Sequence, residues 1–267
     1  MHQTRPTLLA LAAALMLAAC GGGSDSPIAL PTVPEEKRAQ DERNSFAPVD
    51  ANATTFAALA VDPANTSDKT DYRGTSRWAG VLDGAAYRIE VPANWNGRLV
   101  MYAHGYAGQG NVLAVTNPSI RRYLLQNGYA WAASSYSKNF YDVRVGVEDT
   151  NNLARNFNAI AQAKGRVLAQ PSKTYITGHS MGGHITAAAI DAEAFATARH
   201  KFSYDGAVPM CGVLGDTELF DYFAGAQVAA QALTGQAHYP VTQWADISAG
   251  VQTALSSSFP SATTPTA

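Results

Sequence analysis

Residues 173–183 read Lys-Thr-Tyr-Ile-Thr-Gly-His-Ser-Met-Gly-Gly (KTYITGHSMGG). The first five have the composition of a buried strand, stopped by Gly178. From Met181 to Ala196 the residues favour a helix. Between the two, Gly178-His179-Ser180-Met181-Gly182 matches G-x-S-x-G. The composition allows on the order of 0.1 chance matches to that pattern, and a strand before it and a helix after it are the context it requires. The turn is sharp. Side chains at Gly178 and Gly182 would meet neighbouring backbone, and Ser180 is expected to stand above the sheet edge in a strained conformation. The helix starting at Met181 turns its positive end and free N–H groups toward that hydroxyl.

Strands and helices alternate outward from this corner. Val81-Leu82 and residues 86–91 flank Asp83-Gly84, a hairpin turn signal. Residues 98–103 (RLVMYA) are a continuous apolar run, as in a strand covered on both faces. A helix is expected over 118–126 with Asn117 as its N-cap, a strand over 129–134, and a longer helix over 149–169 stopped by Pro171. A strand over 205–210 and a helix over 216–234 follow the central motif. This order predicts an α/β fold with a mostly parallel sheet and helices on both faces.

His104-Gly105-Tyr106 directly follows the 98–103 run, and Ala107-Gly108-Gln109-Gly110 continues it as a flexible loop. A strand ending in HGY, then GHSMGG after a later strand, resembles the α/β-hydrolase fold over roughly residues 72–212. The resemblance implies a serine hydrolase, with a carboxylic ester as the small-molecule substrate and no cofactor. It implies that Ser180 is the nucleophile and that the N–H groups of Tyr106 and Met181 form an oxyanion hole. His104, Gly105, Gly178, His179 and Gly182 then support the site structurally. The spacing of His104 and His179 fits no metal motif. Tyr102, Tyr106, Tyr136, Phe140 and Tyr141 are read either as pocket lining or as ordinary core and rim residues. The segment 134–146 leaves the end of a strand where ligands bind in open α/β sheets.

A serine hydroxyl needs a base, and the base needs an orienting acid. In this fold the order is Ser, then Asp or Glu, then His. After Ser180 the chain offers His184, His200 and His238. His184 lies on the helix beside Ser180, and His200 sits in a basic loop. His238 is the best placed of the three, with Asp205, Asp216 or Asp246 as candidate acids. Beyond residue 210 the only further strand candidate is 241–244, a weak one. The domain is therefore expected to be incomplete on its C-terminal side, a shortened hydrolase or part of a longer one. The competing expectation is a non-catalytic envelope lipoprotein that keeps the fold and binds a ligand or partner.

The N-terminus reads as an address. A short basic head precedes 13 apolar or small residues at 7–19 (TLLALAAALMLAA), a secretory core too short to span a bilayer. Leu17-Ala18-Ala19-Cys20 resembles the lipobox of bacterial lipoproteins. That resemblance implies cleavage after residue 19, a lipidated Cys20 and a cell-envelope location, with Gly21 favouring the outer membrane. The expected organisation is a signal peptide over 1–19, a lipidated tether over 20–70, the hydrolase-like domain over 71–255 and a loose tail over 256–267. With 19 basic and 21 acidic residues in 267, net charge −2, there is no surplus to neutralise phosphates, so nucleic acid is excluded as a partner. Two cysteines make no disulfide framework, and Cys211, the only thiol left after lipidation, is expected to be a buried small hydrophobe.

Overall fold

The computed structural model describes residues 46–64, 72–108, 110–238, 240 and 243–256. The expected signal peptide 1–19, Cys20, positions 241 and 242 of the weak strand candidate, and tail residues 257–267 lie outside them. The main sheet has six strands in the order β2 (Ser76–Leu82), β3 (Ala85–Val91), β6 (Ala130–Ser134), β4 (Arg98–Ala103), β7 (Lys173–His179), β8 (Gly206–Met210). β6, β4, β7 and β8 run parallel; β2 and β3 are antiparallel additions at one edge. Asp83 and Gly84 turn the β2–β3 hairpin with φ of 47° and 87°, as the Asp-Gly signal requires.

Strand β4 explains its own apolar run. Leu99, Met101 and Ala103 enter the core on one face, with Leu153, Phe157, Met181 and Ile185. Val100 and Tyr102 enter the core on the other face, with Tyr72, Leu124, Leu125 and Trp131. The first face is covered by α2 (Val143–Ala163) and α3 (Met181–Ala188), the second by α1 (Arg121–Gln126) and irregular chain. This is the expected α/β architecture.

Several boundaries move, each for a local reason. Helix α1 starts at Arg121 rather than 118, and Asn117 is not its cap: its Oδ1 accepts from the Arg88 guanidinium at 2.9 Å. Helix α2 begins six residues before the expected 149, because Asp142 caps it by accepting from the Val145 N–H at 3.0 Å. It ends at Ala163, where Gly165 adopts φ of 85°. The expected 181–196 helix is two: Asp191 accepts from the N–H groups of Glu193 and Ala194 and starts α4 (Ala192–Thr197). Trp244, read as the end of a strand, opens α6 (Trp244–Ser256).

The largest departure concerns residues 46–64, read as part of the tether. They lie on the domain. Phe56 and Leu59 pack on the second core. Ala47 and Pro48, as β1 (Ala47–Pro48), pair in parallel with β5 (Val112–Leu113). The anchor is the buried Glu90 carboxylate, which accepts from Arg121 Nε (2.6 Å), Thr75 Oγ1 (2.7 Å) and Trp131 Nε1 (2.9 Å). Arg121 donates in turn to the Ala57 carbonyl at 3.0 Å and lies against the Phe56 ring. A buried carboxylate is tolerated only when its lone pairs are used in this way.

Past β8 the structure opens. Among the described residues no strand pairs with the outer edge of β8, and Val208 is 58% exposed. Helix α5 (Asp216–Leu233) presents Tyr222, Phe223 and Leu233 to solvent at 69%, 50% and 81% exposure. No described helix is long and apolar enough to cross a membrane.

Candidate active site

β7 ends at His179 and α3 starts at Met181, so Ser180 alone makes the corner. Its φ of 58° and ψ of −128° belong to a region that glycine occupies and serine avoids. The corner is held from both sides. The Ser180 N–H donates to the Met210 carbonyl at the end of β8 (3.0 Å), and the Ser180 carbonyl accepts from the His184 N–H (3.1 Å). The side chain is exposed. Among the described residues no hydrogen bond reaches its Oγ.

The flanking glycines are required by space. A Cβ on Gly178 would strike the Ala103 carbonyl oxygen and lie 2.5 Å from the Gly182 oxygen. One on Gly182 would strike the same Ala103 oxygen and lie 2.8 Å from the His104 oxygen. One on Gly183 would meet the Met210 oxygen. The end of β4 therefore sits directly against the elbow. A Cβ on Gly105 would lie 3.3 Å from the His179 oxygen and 3.4 Å from Ser180 Cβ. Gly105, in the loop that follows β4, thus lies against Ser180. Met181 is buried beneath the corner, and the Tyr106 ring is half exposed at the rim.

His104 is buried and stacks on Tyr136, with ring centroids 4.1 Å apart. Its Nδ1 is 2.6 Å from the Gly105 carbonyl oxygen and its Nε2 is 3.1 Å from that of Ser135. Burial pushes its pKa below the ordinary value, against the pull of these two carbonyls. In its neutral form the ring carries one N–H for these two acceptors. The Tyr136 hydroxyl donates to the His104 carbonyl at 2.9 Å, and burial lifts the pKa of that phenol well above 10. Tyr136 itself has φ of 58°. His104 and Tyr136 stack on each other and are tied to the Gly105 and His104 carbonyls of the loop. His179 is exposed at the rim, stacked on Tyr102, whose hydroxyl lies 3.1 Å from its Nδ1.

The base and acid candidates scatter. His184 Nδ1 lies 3.1 Å from the Tyr141 hydroxyl. His200 sits with Glu148, whose carboxylate accepts from its N–H at 2.8 Å. Asp205 is removed as an acid: it binds Lys173 Nζ (2.7 Å) and the Thr174 N–H (2.8 Å) at the start of β7, the opposite end of the strand from Ser180. At about 3.3 Å per residue that separation is roughly 20 Å. His238 is exposed in the turn after α5, and Asp246 is exposed on α6. The side chain of Asp216 lies outside the described residues. Cys211, expected to be buried, is exposed, with φ of 49°, because it follows the open strand β8.

Sequence reasoning named Phe140 but missed the contacts by which it and Asn139 brace the loop after Tyr106. The Phe140 N–H donates to the Gly108 carbonyl (3.1 Å), and Asn139 Nδ2 donates to the Val112 carbonyl (3.0 Å). Asp149, on α2, accepts from the Ser137 N–H at 2.6 Å, and burial raises its pKa. No local sequence pattern signals these contacts, which join residues 12 apart at Ser137–Asp149 and 27 at Asn139–Val112. No group of metal-ligating side chains occurs among the described residues.

No family model matches the chain, and no curated protein sequence matches it. Among solved structures it is similar to esterase B from Lactobacillus rhamnosis, with 19% identity over 64% of this chain and 61% of that one and a TM-score of 0.39. It is similar to esterase 2 from Thermogutta terrifontis in its tabun-phosphoramylated form (21% identity, 45% and 48% coverage, TM-score 0.31). It is also similar to the rice cell wall degrading esterase LipA from Xanthomonas oryzae (14% identity, 58% and 50% coverage, TM-score 0.38). The chain spans less than two thirds of the length of each.

Proposed function

We infer that the chain is a serine hydrolase, acting on a carboxylic ester through an acyl-enzyme on Ser180. One observation carries this reading: a serine holds a backbone conformation suited to glycine, at a strand-to-helix corner, with a second strand's end pressed against it. Strain of about 1–3 kcal/mol persists where the surroundings enforce it, and such sites are concentrated where chemistry is done. In the proposed reaction Ser180 Oγ attacks the ester carbonyl and loses its proton to a base. The Met181 and Tyr106 N–H groups receive the oxyanion, and the alkoxide leaves with that proton. Water then attacks the acyl-enzyme and releases the acid.

The base proposed is His238, with Asp216 or Asp246 as the acid. A second reading is a ligand-binding lipoprotein without catalysis. It is favoured by the lack of any hydrogen bond to Ser180 Oγ among the described residues. Hydrolysis of p-nitrophenyl acetate separates the two. Turnover lost in Ser180→Ala supports the hydrolase; a rate equal to that of Ser180→Ala supports the binder.

The chain is further proposed to be a lipoprotein of a bacterial cell envelope, anchored through Cys20 in the outer membrane. Support comes from Leu17-Ala18-Ala19-Cys20 behind its apolar run. Detergent-phase partition lost in Cys20→Ser would bear this out, and partition unchanged would overturn it.

A further inference from the structure

Residues 46–49 cross the loop that follows β4. The Ala47 N–H donates to the Asn111 carbonyl (3.0 Å) and the Val49 N–H to the Leu113 carbonyl (2.9 Å). Leu113 is fully buried. The Phe46 ring meets the Phe140 ring edge-on, with centroids 5.9 Å apart. Phe140 is the residue whose N–H holds the Gly108 carbonyl, and the neighbouring Asn139 holds Val112. The loop is therefore gripped from two sides, by 46–49 and by 139–140.

It needs the grip. Glycines stand at 105, 108 and 110, and Gly108 adopts φ of 92°. Glycine carries the largest backbone freedom, so a segment this rich in it has no local reason to keep one conformation. A donor for a developing charge works only if it is already in place when the charge forms. We propose that residues 46–49 are a positioning strap for the Ser180 site, with Phe46 and the Ala47 N–H holding the loop that carries Tyr106. This rests on the reading of Ser180 given above. Phe46 touches no reacting atom; it acts through Phe140 and the loop.

The test uses the full chain, with Phe46→Ala and Ala47→Pro, which removes the N–H to Asn111, and with Phe46→Tyr as the conservative control. Two quantities are read: amide hydrogen exchange over 105–113, and the maximal rate and half-saturating concentration of a fluorophosphonate on Ser180. Exchange is expected to quicken by about tenfold or more, and the maximal rate to fall by about tenfold with half-saturation unchanged, since a small misplacement of a catalytic group costs rate rather than binding. Melting temperatures should show both variants folded, and Phe46→Tyr should restore both readouts. Unchanged exchange overturns the proposal, as does an unchanged maximal rate on a loosened loop. If wild-type Ser180 does not react at all, the fault lies with the nucleophile reading, and exchange alone decides the strap.

Discussion

Gly105 and Ser180 lie against each other across the top of the sheet: a Cβ placed on Gly105 would stand 3.4 Å from the Cβ of Ser180. Seventy-five residues separate them in sequence. Their meeting follows from β4 and β7 being parallel neighbours, with Ala103 in register with Gly178. Both strands deliver their C-terminal ends to one place, and the residues that follow share it.

The strain at Ser180 has a measurable sign. Ser180→Gly should be more stable than Ser180→Ala by about 1–2 kcal/mol, because only glycine relaxes at φ of 58° and ψ of −128°. Urea midpoints at constant m-value check this. Equal stability would mean that the corner is unstrained.

Identical chemical changes should act oppositely at two glycines. Gly178→Ala drives a methyl into the Ala103 and Gly182 carbonyls and should cost about 3 kcal/mol or more. Gly225, inside α5, has nothing within 4 Å of the same methyl. There the change should stabilise by about 0.5–1 kcal/mol through helix propensity. Thermal or urea unfolding of both variants measures the contrast.

His104 should impose a pH dependence. Burial holds its folded pKa below the ordinary 6.5. Above 6.5 both folded and unfolded chains carry it neutral, and it contributes no slope. As pH falls below 6.5 the unfolded chain takes up the proton first, so stability drops. Asp149, whose pKa is raised by burial, acts in the other direction at lower pH, regaining stability as it protonates. The clean observable is the gap in melting temperature between wild type and His104→Asn. It should narrow as pH falls below 6.5; parallel curves would contradict the assignment.

The corner was legible because a strict local rule governs it: a turn this tight excludes side chains at Gly178 and Gly182, leaving a pattern in the letters. The strand 98–103 was legible because both of its faces are buried. The start of α2 was not, since Val143 and Gly146 are poor helix formers; Gly146 is there because a Cβ would run into Ile185 of α3. The docking of 46–64 was hidden by its Asp, Asn and Thr content, which reads as solvated linker. Its hold comes from Arg121 and Arg77, side chains distant in sequence that bond to its carbonyls. Asp205, one of three candidate acids, is excluded by its place at the start of the 205–210 strand, where it binds Lys173 and Thr174 at the far end of β7 from Ser180.

Peptide mapping after treatment with a fluorophosphonate tests the central claim most directly. A single phosphonyl adduct is expected on Ser180, absent in Ser180→Ala and on no other serine. Adducts spread over several serines, or an unmodified Ser180 in folded protein, would contradict it.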